Sequence, residues 1–80
     1  MFINKTTDGK NNLCGQNIYK LRKEMKISQR ELADLLQLEG LDVDKNAIQR
    51  IEAGKRFVTD IELFAISKVF NTTTDEIIKH

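Results

Sequence analysis

Eighty residues suffice for one domain with a modest core and are too few for two. A composition that is 40% hydrophobic and 31% charged, without proline, is that of a helix-rich globule and excludes a disordered chain. There is no signal-peptide pattern and no apolar run near the roughly 18 residues a membrane span needs, so no membrane partner and a cytoplasmic location are expected. The net charge of +1 argues against indiscriminate coating of nucleic acid, a term that grows with the number of phosphates neutralised. Cys14 is the only cysteine, which rules out an internal disulfide and leaves a thiol-based metal site without partners. Its distribution says more about the charge than its sum: residues 15–56 hold nine Lys and Arg against seven Asp and Glu, and residues 57–80 hold two against four. Several acids of the first block have structural jobs, so a local basic face is expected there.

In chain order, residues 1–14 show no sustained period and carry turn signals, Thr6-Thr7-Asp8-Gly9 and Lys10-Asn11-Asn12. They are expected to form a flexible arm, either fraying or reaching along a partner through Lys5 and Lys10, unless Phe2 and Ile3 fold back; Cys14 is then an idle or lightly packed thiol. Residues 15–80 form the domain. Ile18, Leu21 and Met25 make the stripe of a first helix. Ser28 followed by Glu31 is a capping box, in which the serine oxygen takes the third N–H of a helix and the glutamate reaches back. The second helix therefore starts at Gln29, with Leu32, Leu35, Leu36 and Leu38 as its stripe and Gly40 as its left-handed stop.

Asp44, with Asp42 as runner-up, caps a third helix that runs to Ala53 and stops at Gly54. Thr59 and Glu62 form a second capping box, with Val58 stapled to Leu63, and Leu63, Ile66, Ser67 and Phe70 give the stripe of a fourth helix that ends at Asn71. Thr73 with Glu76 predicts a third box and a last short helix with Ile77 inward. Five short helices without a strand period predict a compact all-α domain.

The third helix is unusual. Ala47, Ile48 and Ile51 cover one stripe, while Lys45, Asn46, Gln49 and Arg50 cover the rest. Long side chains that donate and accept hydrogen bonds, with a positive bias, suit base edges and nearby phosphates; the competing reading is a solvated helix face. Catalysis finds no support. His80 is the only histidine and is terminal, and no isolated carboxylate pair, glycine-rich phosphate loop or metal-ligand spacing occurs, so no enzyme activity, cofactor, metal or small-molecule ligand is expected.

Ile18-x-x-Leu21-Arg22, Ser28-Gln29-x-x-Leu32-Ala33, Ile48-x-Arg50-Ile51-Glu52-x-Gly54-Lys55-Arg56 and Asp75-Glu76-Ile77 together resemble the lambda-repressor and Cro type of helix-turn-helix DNA-binding domain. The resemblance implies an Arg22–Glu52 ion pair tying the first helix to the end of the recognition helix. It implies phosphate contacts by Gln29 and Arg30 at the second helix and by Lys55 and Arg56 after the third, with Lys45, Asn46, Gln49 and Arg50 toward base edges. The connection departs from the family, with eleven residues between Leu36 and Ile48. The second helix is longer, the turn is longer, or both.

The expected function is sequence-specific binding of double-stranded DNA as a small transcriptional regulator, a repressor that inserts its third helix in the major groove. The alternative is a protein-interaction adaptor. Phe57, Ile61, Phe64 and Ile78 are the expected surface for a homodimer on a two-fold operator or for a protein partner, against a monomer with a broader core.

Overall fold

Four of the five helices begin at a side-chain cap, and the first four end in a turn that satisfies the backbone locally. In the computed structural model, which describes residues 5–79, these are α1 (Gly15–Glu24), α2 (Gln29–Leu38), α3 (Lys45–Glu52), α4 (Asp60–Phe70) and α5 (Thr74–Ile78). Residues 1–4, with Phe2 and Ile3 among them, and His80 lie outside the described residues. Ser28 and Thr59 close full capping boxes with Glu31 and Glu62, and Asp44 accepts the Ala47 N–H. At Thr73 only half of the expected box forms, the hydroxyl accepting from the Glu76 N–H at 3.1 Å.

The helix ends share one device. After α1, α2, α3 and α4 the chain turns through a left-handed residue, at Lys26, Gly40, Gly54 and Asn71. The next residue's N–H then reaches back to the last turn, as in Leu41 to Leu36 and Lys55 to Arg50. Lys26 holds φ at +59° without being a glycine, a conformation that costs about 1 kcal/mol.

Docking of the apolar stripes makes one core. Ile18, Leu32, Leu36, Ile48, Ile51, Ile66 and Ile77 are fully buried, joined by Cys14, Ala33, Val43 and Ala65. In this core α3 packs against α1 and α2, α4 against α2 and α5, and α5 also against α1. Ala33 is small enough for α3 to cross α2 closely, and Gly15 lets the start of α1 approach the Ile51 carbonyl at the end of α3, where a Cβ would collide.

Some expected placements are corrected. Met25 and Leu38 leave their stripes and are exposed, Leu38 at 82%, because both sit where the helix is already ending and the turn swings the chain back. Ala65, outside the Leu63, Ile66, Ser67 and Phe70 stripe expected for α4, is buried as well. The long connection resolves into a ten-residue α2 and a turn over 39–44. That turn is anchored by Val43 in the core and by Gln37, whose amide donates to the Val43 carbonyl at 2.8 Å.

The described part of the arm also differs from a free tail. Asn11 and Asn12 bond to the end of α3 and the loop after it, and Cys14 is buried. Burial pushes the thiol up to about 11, so Cys14 is a core residue with an unreactive sulfur.

Candidate nucleic-acid interface

The face of α3 follows from its inward stripe. Ile48 and Ile51 are at most 2% exposed and Ala47 is half-buried, which forces Lys45, Asn46, Gln49 and Arg50 to solvent. The polar ends of these four side chains make no hydrogen bond or ion pair among the described residues. They are therefore available to a ligand at no cost in internal bonds.

Beside this face lies the start of α2. The Ser28 box satisfies the Glu31 N–H and leaves the Gln29 and Arg30 N–H groups pointing out of the helix at its positive end. A shallow depression there is lined by Lys23, Lys26, Ser28, Gln29, Arg30 and Lys45. Lys23 and Lys26 were not singled out in the sequence; their contribution depends on the α1–α2 turn carrying them to this site. A second groove, between α2 and α3, is bordered by Arg30, Asp34, Gln37, Asp44, Lys45 and Asn46. Asp44 there is committed to capping α3.

Beneath the interface sits a buried ionic network. Arg22 donates through Nε to Glu52 Oε2 at 2.7 Å, through Nη2 to Oε1 at 3.0 Å, and through Nη1 to the Ile27 carbonyl at 3.0 Å. The two side chains are 7% and 6% exposed. Glu52 holds the Arg22 guanidinium above its ordinary value. Gln29 Nε2 also donates to Glu52 Oε1, at 3.1 Å. The network thus joins α1, the α1–α2 turn, the start of α2 and the end of α3, with bidentate geometry at its centre.

Lys55 and Arg56 follow α3 but do different things. Lys55 is exposed and its ammonium is unpaired among the described residues. Arg56 grips Glu62 with two bonds of 3.1 and 2.8 Å and also donates to the Phe57 carbonyl. Glu62 is close because its carboxylate is already held at the first turn of α4 by the Thr59 N–H. That Arg56 bond, ahead of the others, holds the Glu62 carboxyl below its ordinary 4.5.

The apolar candidates form a separate surface. Phe57, Ile61 and Phe64 are exposed, Ile61 at 72%, and Ile78 on α5 is at the edge of exposure. Lys68 Nζ lies 4.6 Å from the centroid of the Phe64 ring. A small groove joins Ile61 and Phe64 to Gly40 and Leu41 after the end of α2, so Leu41 extends this surface beyond the residues singled out in the sequence. Among the described residues no cluster of His, Cys, Asp and Glu could hold a metal ion, and no helix is long and apolar enough to cross a membrane.

A family model described as helix-turn-helix matches residues 18–77. No curated protein matches the chain. Among solved structures, it is similar to the P22 c2 repressor protein in complex with synthetic operator 9T in the presence of Tl+, with 28% identity and a TM-score of 0.72 over 85% of this chain and 96% of that one. It shares a fold with the restriction-modification controller protein C.AhdI from Aeromonas hydrophila, at 24% identity and a TM-score of 0.69, covering 79% of this chain and 84% of that one.

Proposed function

The chain belongs to the helix-turn-helix family, in its lambda-repressor and Cro form, and from that premise we propose that it binds double-stranded DNA by sequence, as a small transcriptional repressor. The observation that carries this reading is the uncommitted face of α3, Lys45, Asn46, Gln49 and Arg50, beside the open N-terminus of α2. A helix of this width fits the major groove. Asn46 has the donor and acceptor pair for adenine, Arg50 or Lys45 has the donors for guanine, and Gln49 reaches the neighbouring edge.

Phosphates are met by the N–H groups of Gln29 and Arg30, by the Arg30, Lys23 and Lys26 side chains, and by Lys55. The Gln29 side chain supports Glu52, so its contribution to a phosphate is through the backbone. The similar P22 c2 repressor was solved on an operator, and repression by occupying an operator is the same reading applied to this chain.

A two-fold dimer is part of the proposal, with Phe57, Ile61, Phe64 and Ile78 as its surface. Sedimentation of the wild type beside Phe64→Lys tests it: monomers in both remove the dimer. The same exposed apolar groups support the second reading, a protein-interaction adaptor. Alanine at Lys45, Asn46 and Arg50 separates the two, since it abolishes sequence preference in a DNA reader and leaves an adaptor unaffected.

The direct experiment is fluorescence anisotropy against the intergenic DNA flanking the protein's own gene and a scrambled duplex, at low and near-physiological salt. Tighter binding to the flanking DNA that persists at the higher salt is the expected result. Equal, weak and salt-erased binding to both overturns the reading.

A further inference from the structure

The loop after α3 carries Lys55, and most of what holds that loop comes from the other end of the chain. The Asn11 N–H donates to the Gly54 carbonyl at 2.8 Å and the Asn11 side-chain amide to the Lys55 carbonyl at 2.9 Å. Asn12 Nδ2 donates to both the Ile51 carbonyl, at 3.1 Å, and the Arg56 carbonyl, at 2.8 Å. Its Oδ1 accepts the Gly15 N–H at 2.8 Å, which fixes the amide against the start of α1. Lys10 lies over Gly54, where even a Cβ would collide with its side chain, and Lys5 Nζ donates to Asn11 Oδ1 at 3.0 Å.

Four carbonyls of one segment, that of Ile51 in the last turn of α3 and those of residues 54–56 after it, are thus gripped by two asparagines. Their amides supply donors exactly where a helix end exposes carbonyls, and α1 anchors them in turn. On the exposed side of the same loop the Lys55 ammonium is unpaired among the described residues.

We infer that Asn11 and Asn12 are positioning residues for DNA binding, a clamp that holds the loop so that Lys55 meets a phosphate; this rests on the DNA-binding reading above. The N-terminal segment then acts from behind the recognition helix. A single cation on a loose loop makes a weaker and less defined phosphate contact than one on a held loop, because the ordering must be supplied on binding. The cost appears as a loss of affinity that is uniform across sequences and as a shallower salt dependence.

The test uses Asn11→Ala/Asn12→Ser, in which a serine oxygen remains available to the Gly15 N–H and the residue 11 backbone N–H to the Gly54 carbonyl, while the side-chain amide donors to the Ile51, Lys55 and Arg56 carbonyls are gone. Heteronuclear NOEs of residues 54–57 are measured without DNA, and anisotropy salt titrations are run on the flanking and scrambled duplexes, with Lys55→Ala alone and in the double variant. Lower NOEs over 54–57, a slope of log affinity against log salt reduced by about one, and no further reduction on adding Lys55→Ala support the clamp. Unchanged NOEs, an unchanged slope with only a lower melting temperature, or an unchanged slope in Lys55→Ala itself overturns it. If the double variant does not fold, Asn11→Ala, which keeps both Asn12 bonds to the loop, decides by the same readings. A wild type without sequence preference defeats the DNA reading, whereas the NOEs still decide whether the asparagines hold the loop.

Discussion

Arg22→Met tests the buried network beneath the interface. The substitution removes three hydrogen bonds at once and leaves the Glu52 carboxylate, 6% exposed, with Gln29 Nε2 as its remaining side-chain donor. A buried ion deprived of its partner costs about 3–5 kcal/mol. At roughly 0.05–0.15 kcal/mol per residue, a chain of 80 residues has a total stability of only about 4–12 kcal/mol. The single variant should therefore melt roughly 12–40 °C lower and be substantially unfolded near 37 °C.

Glu52→Leu should be similarly costly, because it strands the Arg22 guanidinium. Arg22→Met/Glu52→Leu should recover most of the loss, since replacing both partners by apolar groups removes the uncompensated charge. Urea unfolding followed by far-UV circular dichroism at pH 7 gives the cycle, with a coupling energy of at least about 2 kcal/mol expected. A loss below about 1 kcal/mol for Arg22→Met, as for an exposed pair, or a double variant as unstable as the two losses added, would refute the reasoning.

Three other outcomes follow from particular residues. Lys26→Gly relieves the left-handed strain and should raise stability by up to about 1 kcal/mol, less the entropy glycine loses on folding, while weakening DNA binding because Lys26 lines the depression at the start of α2. Thermal denaturation and anisotropy should thus move in opposite directions. The Glu62 carboxyl is depressed in the folded state, so its stabilisation is present above the unfolded value near 4.5 and is lost as pH falls through the lower folded value. Melting temperature between pH 7 and pH 3 should consequently fall less in Glu62→Gln than in the wild type. Cys14 is 2% exposed with its thiol pushed up to about 11, so a disulfide reagent should label it only at the rate of opening, and labelling as fast as in urea would contradict its burial.

The element starts and stops were legible because each is decided within one turn of helix. Ser28 meets the Glu31 N–H, Thr59 meets Glu62, and Gly40 and Gly54 supply the left-handed residue that lets the chain fold back onto its own last turn. The uncommitted face of α3 was legible for a related reason: three apolar residues at helical spacing leave Lys45, Asn46, Gln49 and Arg50 with nowhere to point but solvent. Stripe ends were read less well, since Met25 and Leu38 keep the helical period while the backbone is already turning away.

Tertiary structure decided the pairings between distant positions. Arg22 and Glu52 are 30 residues apart, and their partnership came from family resemblance, with no local pattern to mark it. Asn12 meets Ile51 and Arg56 across 39 and 44 residues, and a short polar run of this kind reads as coil until α1 and α3 bring its acceptors within reach. Arg56 likewise meets the Glu62 carboxylate because the course of the loop brings the two within reach. By itself the sequence determined what each segment becomes, because capping and periodicity act over three or four residues. Which polar side chains stay uncommitted was decided by the fold, because a hydrogen-bonding side chain is committed by whichever partner the packed helices bring within about 3 Å.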